Sequence, residues 1–107
     1  MTAPTVINIR HAPADWRTNP LYLFIGRPSY LGNPFVLGRH GGRDAVIAKY
    51  REYLKKLRAV DTEMFDAYME GCVRNSVLVC YCKPLACHGD VLIEWLNDRD
   101  EATGQQP

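Results

Sequence analysis

With 107 residues, 47% of them hydrophobic and 23% charged, the chain has the composition of one globular domain and is too short for two cores. It holds no apolar run of about 18 residues and no charged start followed by an apolar segment, so neither a membrane span nor a signal peptide is expected and a cytoplasmic location follows. In that reducing setting Cys72, Cys80, Cys82 and Cys87 are expected as thiols, metal ligands or redox groups before structural disulfides.

The net charge of +1 hides an asymmetry: up to residue 51, Arg10, Arg17, Arg27, Arg39, Arg43, Lys49 and Arg51 face only Asp15 and Asp44. Excess positive charge around the glycine-rich loops of the first half attracts an anion locally. Solvated surface arginines are the plainer alternative, because neighbours in sequence need not be neighbours in space.

Residues 1–4 read as a loose end. Residues 5–10 alternate β-formers with polar side chains and read as a first strand, with Asn8 and Arg10 on one face that either points toward a cleft or is the wetted face of an edge strand. Prolines, Asp15 and Asn19 make 11–20 a loop. Trp16 within it is either a lid over a ligand or an anchor; the anchor needs no function, since burying an indole is worth a few kcal/mol by itself.

Residues 21–25 are continuously apolar, as in a strand covered on both faces, and Gly26 ends it. The loop over 26–35 is stiffened by Pro28 and Pro34 and opened by Gly26 and Gly32. Such a loop brings backbone N–H groups close to a bound oxygen, with Arg27, Ser29 and Asn33 adding side-chain donors. It matches neither the dinucleotide glycine fingerprint nor the P-loop pattern. A second glycine patch over 38–43 includes Arg43 and precedes the next helix.

From residue 44 to about 58, Val46, Ile47, Tyr50, Tyr53, Leu54 and Leu57 recur at three- and four-residue steps, which predicts a helix with a core face. A second stripe, Met64, Phe65, Tyr68 and Met69, starts near the N-cap Asp61 and stops at Gly71, leaving Cys72 as a small buried hydrophobe. Residues 76–82 form a strand, Lys83-Pro84 interrupts it, and a helix runs from 90 to about 97. The rest is a frayed tail, giving one α/β domain over 5–97 and a flexible segment over 98–107. The order β-β-α-α-β-α implies a Rossmann-like three-stranded sheet that is at least partly parallel.

Reactive side chains concentrate at the joint between that last strand and the last helix. Cys80, Cys82, Cys87 and His88 make a complete tetrahedral zinc set by type. Residues two apart in an extended strand lie ~6.6 Å apart, while two sulfurs on one zinc lie within ~4.6 Å. Cys80 and Cys82 therefore share a metal only if the chain turns at Tyr81. A reactive thiol is the second reading: Cys87 before a helix start has a lowered pKa, His88 acts as base or orienting partner, Asp90 caps the helix or holds the imidazole, and Cys82 resolves an oxidised Cys87. The third is plain packing, with Asp90 only a cap and His88 bonded to a loop carbonyl.

Taken together, Val6-x-Asn8-x-Arg10, Ile25-Gly26-Arg27, Gly32-Asn33-Pro34-Phe35, Tyr50-Arg51-x-x-Leu54 and Cys80-x-Cys82-x-Pro84-x-x-Cys87-His88-Gly89-Asp90-Val91-Leu92 resemble the small phage and bacterial family called domain of unknown function 4326. The likeness runs over residues 6 to about 96, with a longer linker over 11–20 as a departure. It implies a phage or bacterial cytoplasmic context and a shared cleft, and carries no mechanism.

The expectation is a domain that binds a small phosphate-bearing or nucleotide-like anion between the 26–35 loop and the 87–90 helix start, with Asn8, Arg10, Arg27, Ser29, Asn33 and Arg43 as ligand-binding residues. If a reaction follows, Cys87 or a bound zinc is its active group, assisted by His88 and Asp90; whether the protein is an enzyme is left open. The alternative from another class is a non-enzymatic module, a phage protein docking on a host protein, with a structural Cys/His site. Nucleic-acid binding is weaker, because the aromatic residues of the basic half read as core, and no membrane partner is expected.

Overall fold

The last strand in sequence is the middle one in space. β1 (Val6–Asn8) and β2 (Tyr22–Phe24) both pair in parallel with β3 (Val77–Cys80), in the order β1-β3-β2. The computed structural model describes residues 4–27, 29–83 and 85–102, and adds three helices: α1 (Arg43–Val60), α2 (Thr62–Tyr68) and α3 (His88–Ala102). The expectations placed on residues 1–3, on Pro28 and Pro84, and on residues 103–107 fall outside the described residues.

The molecule is thus the mixed α/β fold with a parallel sheet that its pattern predicts. The strand order is its own: the dinucleotide-binding order lays consecutive strands side by side, whereas here β1 and β2 are separated by β3. That placement explains the burial. Leu78, Val79 and Cys80 are all fully buried, so both faces of β3 are covered, while Tyr22, Leu23 and Phe24 of β2 are only half-buried. The unbroken apolar run over 21–25 marks an edge strand, not the doubly covered one it predicts. Its surplus apolar surface is met by Trp16, whose ring lies 5.9 Å from that of Phe24; the indole is buried and anchors the 11–20 loop.

β1 is shorter than its sequence suggests. Asn8 accepts the N–H of Arg10 at 2.9 Å, and the chain turns into one 3-10 turn over Ile9–His11, so Asn8 and Arg10 do not share a strand face. On α1, Val46, Ile47, Tyr50 and Leu54 face the core and Asp44 lies in the first turn, where a negative charge suits the helix dipole. Phe65 of α2 joins them with Leu92 and Leu96 of α3.

The second helix does not stop at Gly71. It widens into a π-turn over Met69–Val73, which leaves Cys72 exposed and not buried as expected. Arg74 follows, buried, and is held by Glu70 at 2.7 Å and by Asp100 at 2.9 Å. Asp100 belongs to the stretch expected to fray. α3 instead continues through it to Ala102, because the pair with Arg74 gives the polar last turns something to hold.

Candidate functional site

Parallel strands open their carboxyl ends on the same side, and two loops leave the sheet there: residues 25–35 after β2 and residues 81–87 after β3. Between them lies a cleft of about 210 Å³. Arg27 and Asn33 come from the first loop, Arg43 from the start of α1, Tyr81 and Cys82 from the second loop, and Cys87 and His88 from the start of α3. Phe35, Val36, Val46 and Ile47 form an apolar wall, and among the described residues that line the cleft none is acidic.

Local chemistry shapes each wall. A Cβ on Gly32 would stand 2.9 Å from the Gly26 carbonyl oxygen, so the first loop closes on itself only with glycine there. The Arg27 Nη1 donates to the Asn33 carbonyl at 3.1 Å, and Arg43 Nη1 donates across the cleft to the Ala86 carbonyl at 2.8 Å. Each guanidinium keeps further N–H groups beyond that one bond, and neither has a carboxylate partner among the described residues. Asn33 is largely spent on structure, its Oδ1 accepting the Phe35 N–H and its Nδ2 donating to the Val46 carbonyl.

His88 ties the two loops together. Its Nε2 donates to the Ile25 carbonyl at 2.5 Å, and its ring stands edgewise on Tyr50 at 5.0 Å. Burial lowers the imidazole pKa and the nearby Arg27 lowers it further, against the opposing pull of the Ile25 bond and Asp90, so the ring stays neutral. Asp90 faces elsewhere: it accepts Lys83 Nζ at 2.5 Å and the Cys87 N–H at 3.2 Å, the return half of a capping box. The first N–H of the helix start is therefore taken by the protein's own carboxylate, and the positive side chains lining the cleft are the two arginines.

Asn8, Arg10 and Ser29 stand outside this cleft. Asn8 braces the turn after β3, donating to the carbonyls of Lys83 at 2.6 Å and Tyr81 at 3.2 Å. Arg10 is exposed on the 3-10 turn. The Ser29 hydroxyl is buried with no hydrogen-bond partner among the described residues, beside Trp16 and Phe24.

The chain does turn at Tyr81, but the sulfur brought to Cys87 is that of Cys80, at 3.6 Å, both side chains being buried. The Cys87 thiol donates to Cys80, and with the N–H groups of Lys83 and Cys82 and the Lys83 charge it holds the Cys80 thiol down to about 6 against the cost of burial. The same contact, reinforced by burial, pushes Cys87 up, so the thiolate character expected at Cys87 resides on Cys80. Cys82 is half-buried and the His88 Nε2 is committed to Ile25; among the described residues no three His, Cys, Asp or Glu side chains gather at metal-ligand spacing.

Two contributors, Tyr81 and Lys83, escape a reading that follows only the cysteines. The available signal was position: both residues follow directly after the carboxyl end of a parallel strand, where the loops of an α/β sheet open. No curated protein and no solved structure matches this chain. A family model described as a domain of unknown function, DUF4326, matches residues 7–98, which take in most of β1, the strands β2 and β3, the helices α1 and α2, most of α3 and every wall of the cleft. The chain belongs to the DUF4326 family.

Proposed function

We propose that this protein binds a small phosphate-bearing anion with a nucleotide-like apolar part in the cleft between the two loops. The observation that carries the proposal is charge without compensation: Arg27 and Arg43 line one cavity that no carboxylate shares among the described residues. Guanidinium groups suit phosphate oxygens, and two of them on opposite walls grip one from both sides. A cavity of about 210 Å³ is below the usual size of a drug-like site. It therefore takes the phosphate and the group attached to it, with a base or ring stacking on the exposed Tyr81 at the mouth.

Calorimetry with inorganic phosphate, a nucleoside and the matching nucleoside monophosphate tests this. The monophosphate is expected to bind, the nucleoside to bind more weakly, and the Arg27→Ala/Arg43→Ala protein to lose about a hundredfold or more in affinity, roughly what two charged hydrogen bonds contribute. Equal binding by the double variant, or no binding of any of the three to the wild type, overturns it.

A cytoplasmic setting, phage or bacterial as the family resemblance implies, accords with four free thiols. Among the described residues no helix is long and apolar enough to cross a membrane. The second reading, a module that docks on a host protein, draws on the exposure of Leu37, Tyr81 and Leu85 near the cleft. It expects a Leu85→Ser protein, altered outside the cleft lining, to lose its partner while keeping the nucleotide.

A further inference from the structure

The sulfur pair behind the cleft has no part in holding an anion, and its geometry is specific. Cys80 is fixed by the central strand and Cys87 by the capped start of α3, so two rigid elements hold the sulfurs at 3.6 Å. A disulfide needs about 2.05 Å, a closure of the order that side-chain rotation and a small shift of the short 81–86 link supply. The Cys80 sulfur accepts backbone N–H groups of Lys83 and Cys82, which favour its anion. Cys87 lines the cleft, giving a small neutral oxidant a way in; Cys82 lines it too, but among the described residues neither Cys82 nor Cys72 has a sulfur at this distance.

We propose that Cys80 and Cys87 form a peroxide-reactive dithiol that closes to an intramolecular disulfide at the base of the cleft. The Cys80 thiolate attacks one peroxide oxygen; the O–O bond breaks, a sulfenic acid forms on Cys80, and the departing hydroxide takes a proton and leaves as water. The Cys87 sulfur then attacks the Cys80 sulfur. The S–S bond forms, the S–O bond breaks, and the hydroxyl leaves as a second water with the Cys87 proton. Two thiols are oxidised and one peroxide is reduced to two waters. The proposal stands on the sulfur contact alone and survives or fails independently of anion binding.

The test treats the purified full chain with hydrogen peroxide and maps the products by mass spectrometry. The expected result is a mass loss of two hydrogens, a Cys80–Cys87 cross-link reversed by dithiothreitol, and two thiols, Cys72 and Cys82, still titratable. A Cys72→Ser/Cys82→Ser protein closes at a rate within about twofold of wild type, since neither thiol is needed. In Cys87→Ser a dimedone-trappable sulfenic acid accumulates on Cys80; in Cys80→Ser oxidation of Cys87 slows by about tenfold or more. A cross-link to Cys82 or Cys72, or oxidation of exposed Cys72 ahead of the pair, overturns the proposal. Should the single Ser variants fail to fold, the wild-type map and the Cys72→Ser/Cys82→Ser rate decide it.

Discussion

Arginines serve opposite ends of this molecule in opposite ways. On the helical side Arg74 is buried between Glu70 and Asp100, Arg58 grips Asp66 and Arg51 grips Glu94, so each positive charge is answered by a carboxylate. At the cleft Arg27 and Arg43 are answered only by the carbonyls of Asn33 and Ala86. A buried charge must be paired inside the protein, while a charge at a cleft with only neutral partners keeps capacity for something brought from outside. The contrast separates arginines paired with the fold's own carboxylates from arginines whose partners among the described residues are neutral.

Substitution exposes that difference most strongly at Arg74. Arg74→Ala removes the buried cation that Glu70 and Asp100 both grip, leaving Glu70 with Arg99 at 3.3 Å, and is expected to lower the unfolding free energy by about 3 kcal/mol in urea titration with nucleotide binding unchanged in the protein that remains folded. Arg27→Ala/Arg43→Ala is expected to cost about 1 kcal/mol or less in the same titration. If the two proteins lose equal stability, the contrast is broken and the cleft arginines are structural.

Tyr50→Phe comes next. The Tyr50 hydroxyl donates to the Leu31 carbonyl at 2.6 Å in a fully buried setting, and removing it strands that carbonyl beside the first cleft loop. A loss of about 1 to 2 kcal/mol in urea titration is expected. A smaller effect separates the ends by pH. Burial depresses the His88 pKa, so the unfolded chain takes up a proton near pH 6.5 that the folded chain resists. Stability is therefore full above that pH and falls as the pH drops through it, by at most about 1.4 kcal/mol per pH unit for one proton. His88→Gln is expected to flatten that slope in urea titrations run across the range; an unchanged slope means His88 is not its source. Last, one thiolate is expected to titrate below the ordinary thiol range by ultraviolet absorbance, because Cys87 and two backbone N–H groups donate to the Cys80 sulfur, and Cys80→Ser abolishes it while Cys72→Ser does not.

Some of this was legible beforehand and some was not. The α1 stripe of Val46, Ile47, Tyr50 and Leu54 is a helix because periodicity is local and burial follows from it. The bringing together of Arg27, Arg43 and His88 was legible through one inference, that parallel strands open their loops on the same side. Burial along 21–25 was misread because an apolar run states that surface must be covered, not by what: Trp16 covers the edge strand that a second layer was expected to cover. The polar end of α3 was misread because the pair that holds Asp100 joins it to Arg74, a residue far away in the chain.

The chain by itself determined the α/β class, the segment in which the thiols sit and the family to which it belongs, since these depend on residue types at short spacing. Only the tertiary structure decided that β3 lies between the other two strands, that Cys80 and not Cys82 meets Cys87, and that Asp90 is spent on Lys83 and the helix start. The first is a pairing between segments far apart in the chain, and the other two turn on where a side chain points once the backbone has bent: the bend at Tyr81 parts two sulfurs that a straight strand would carry on one face.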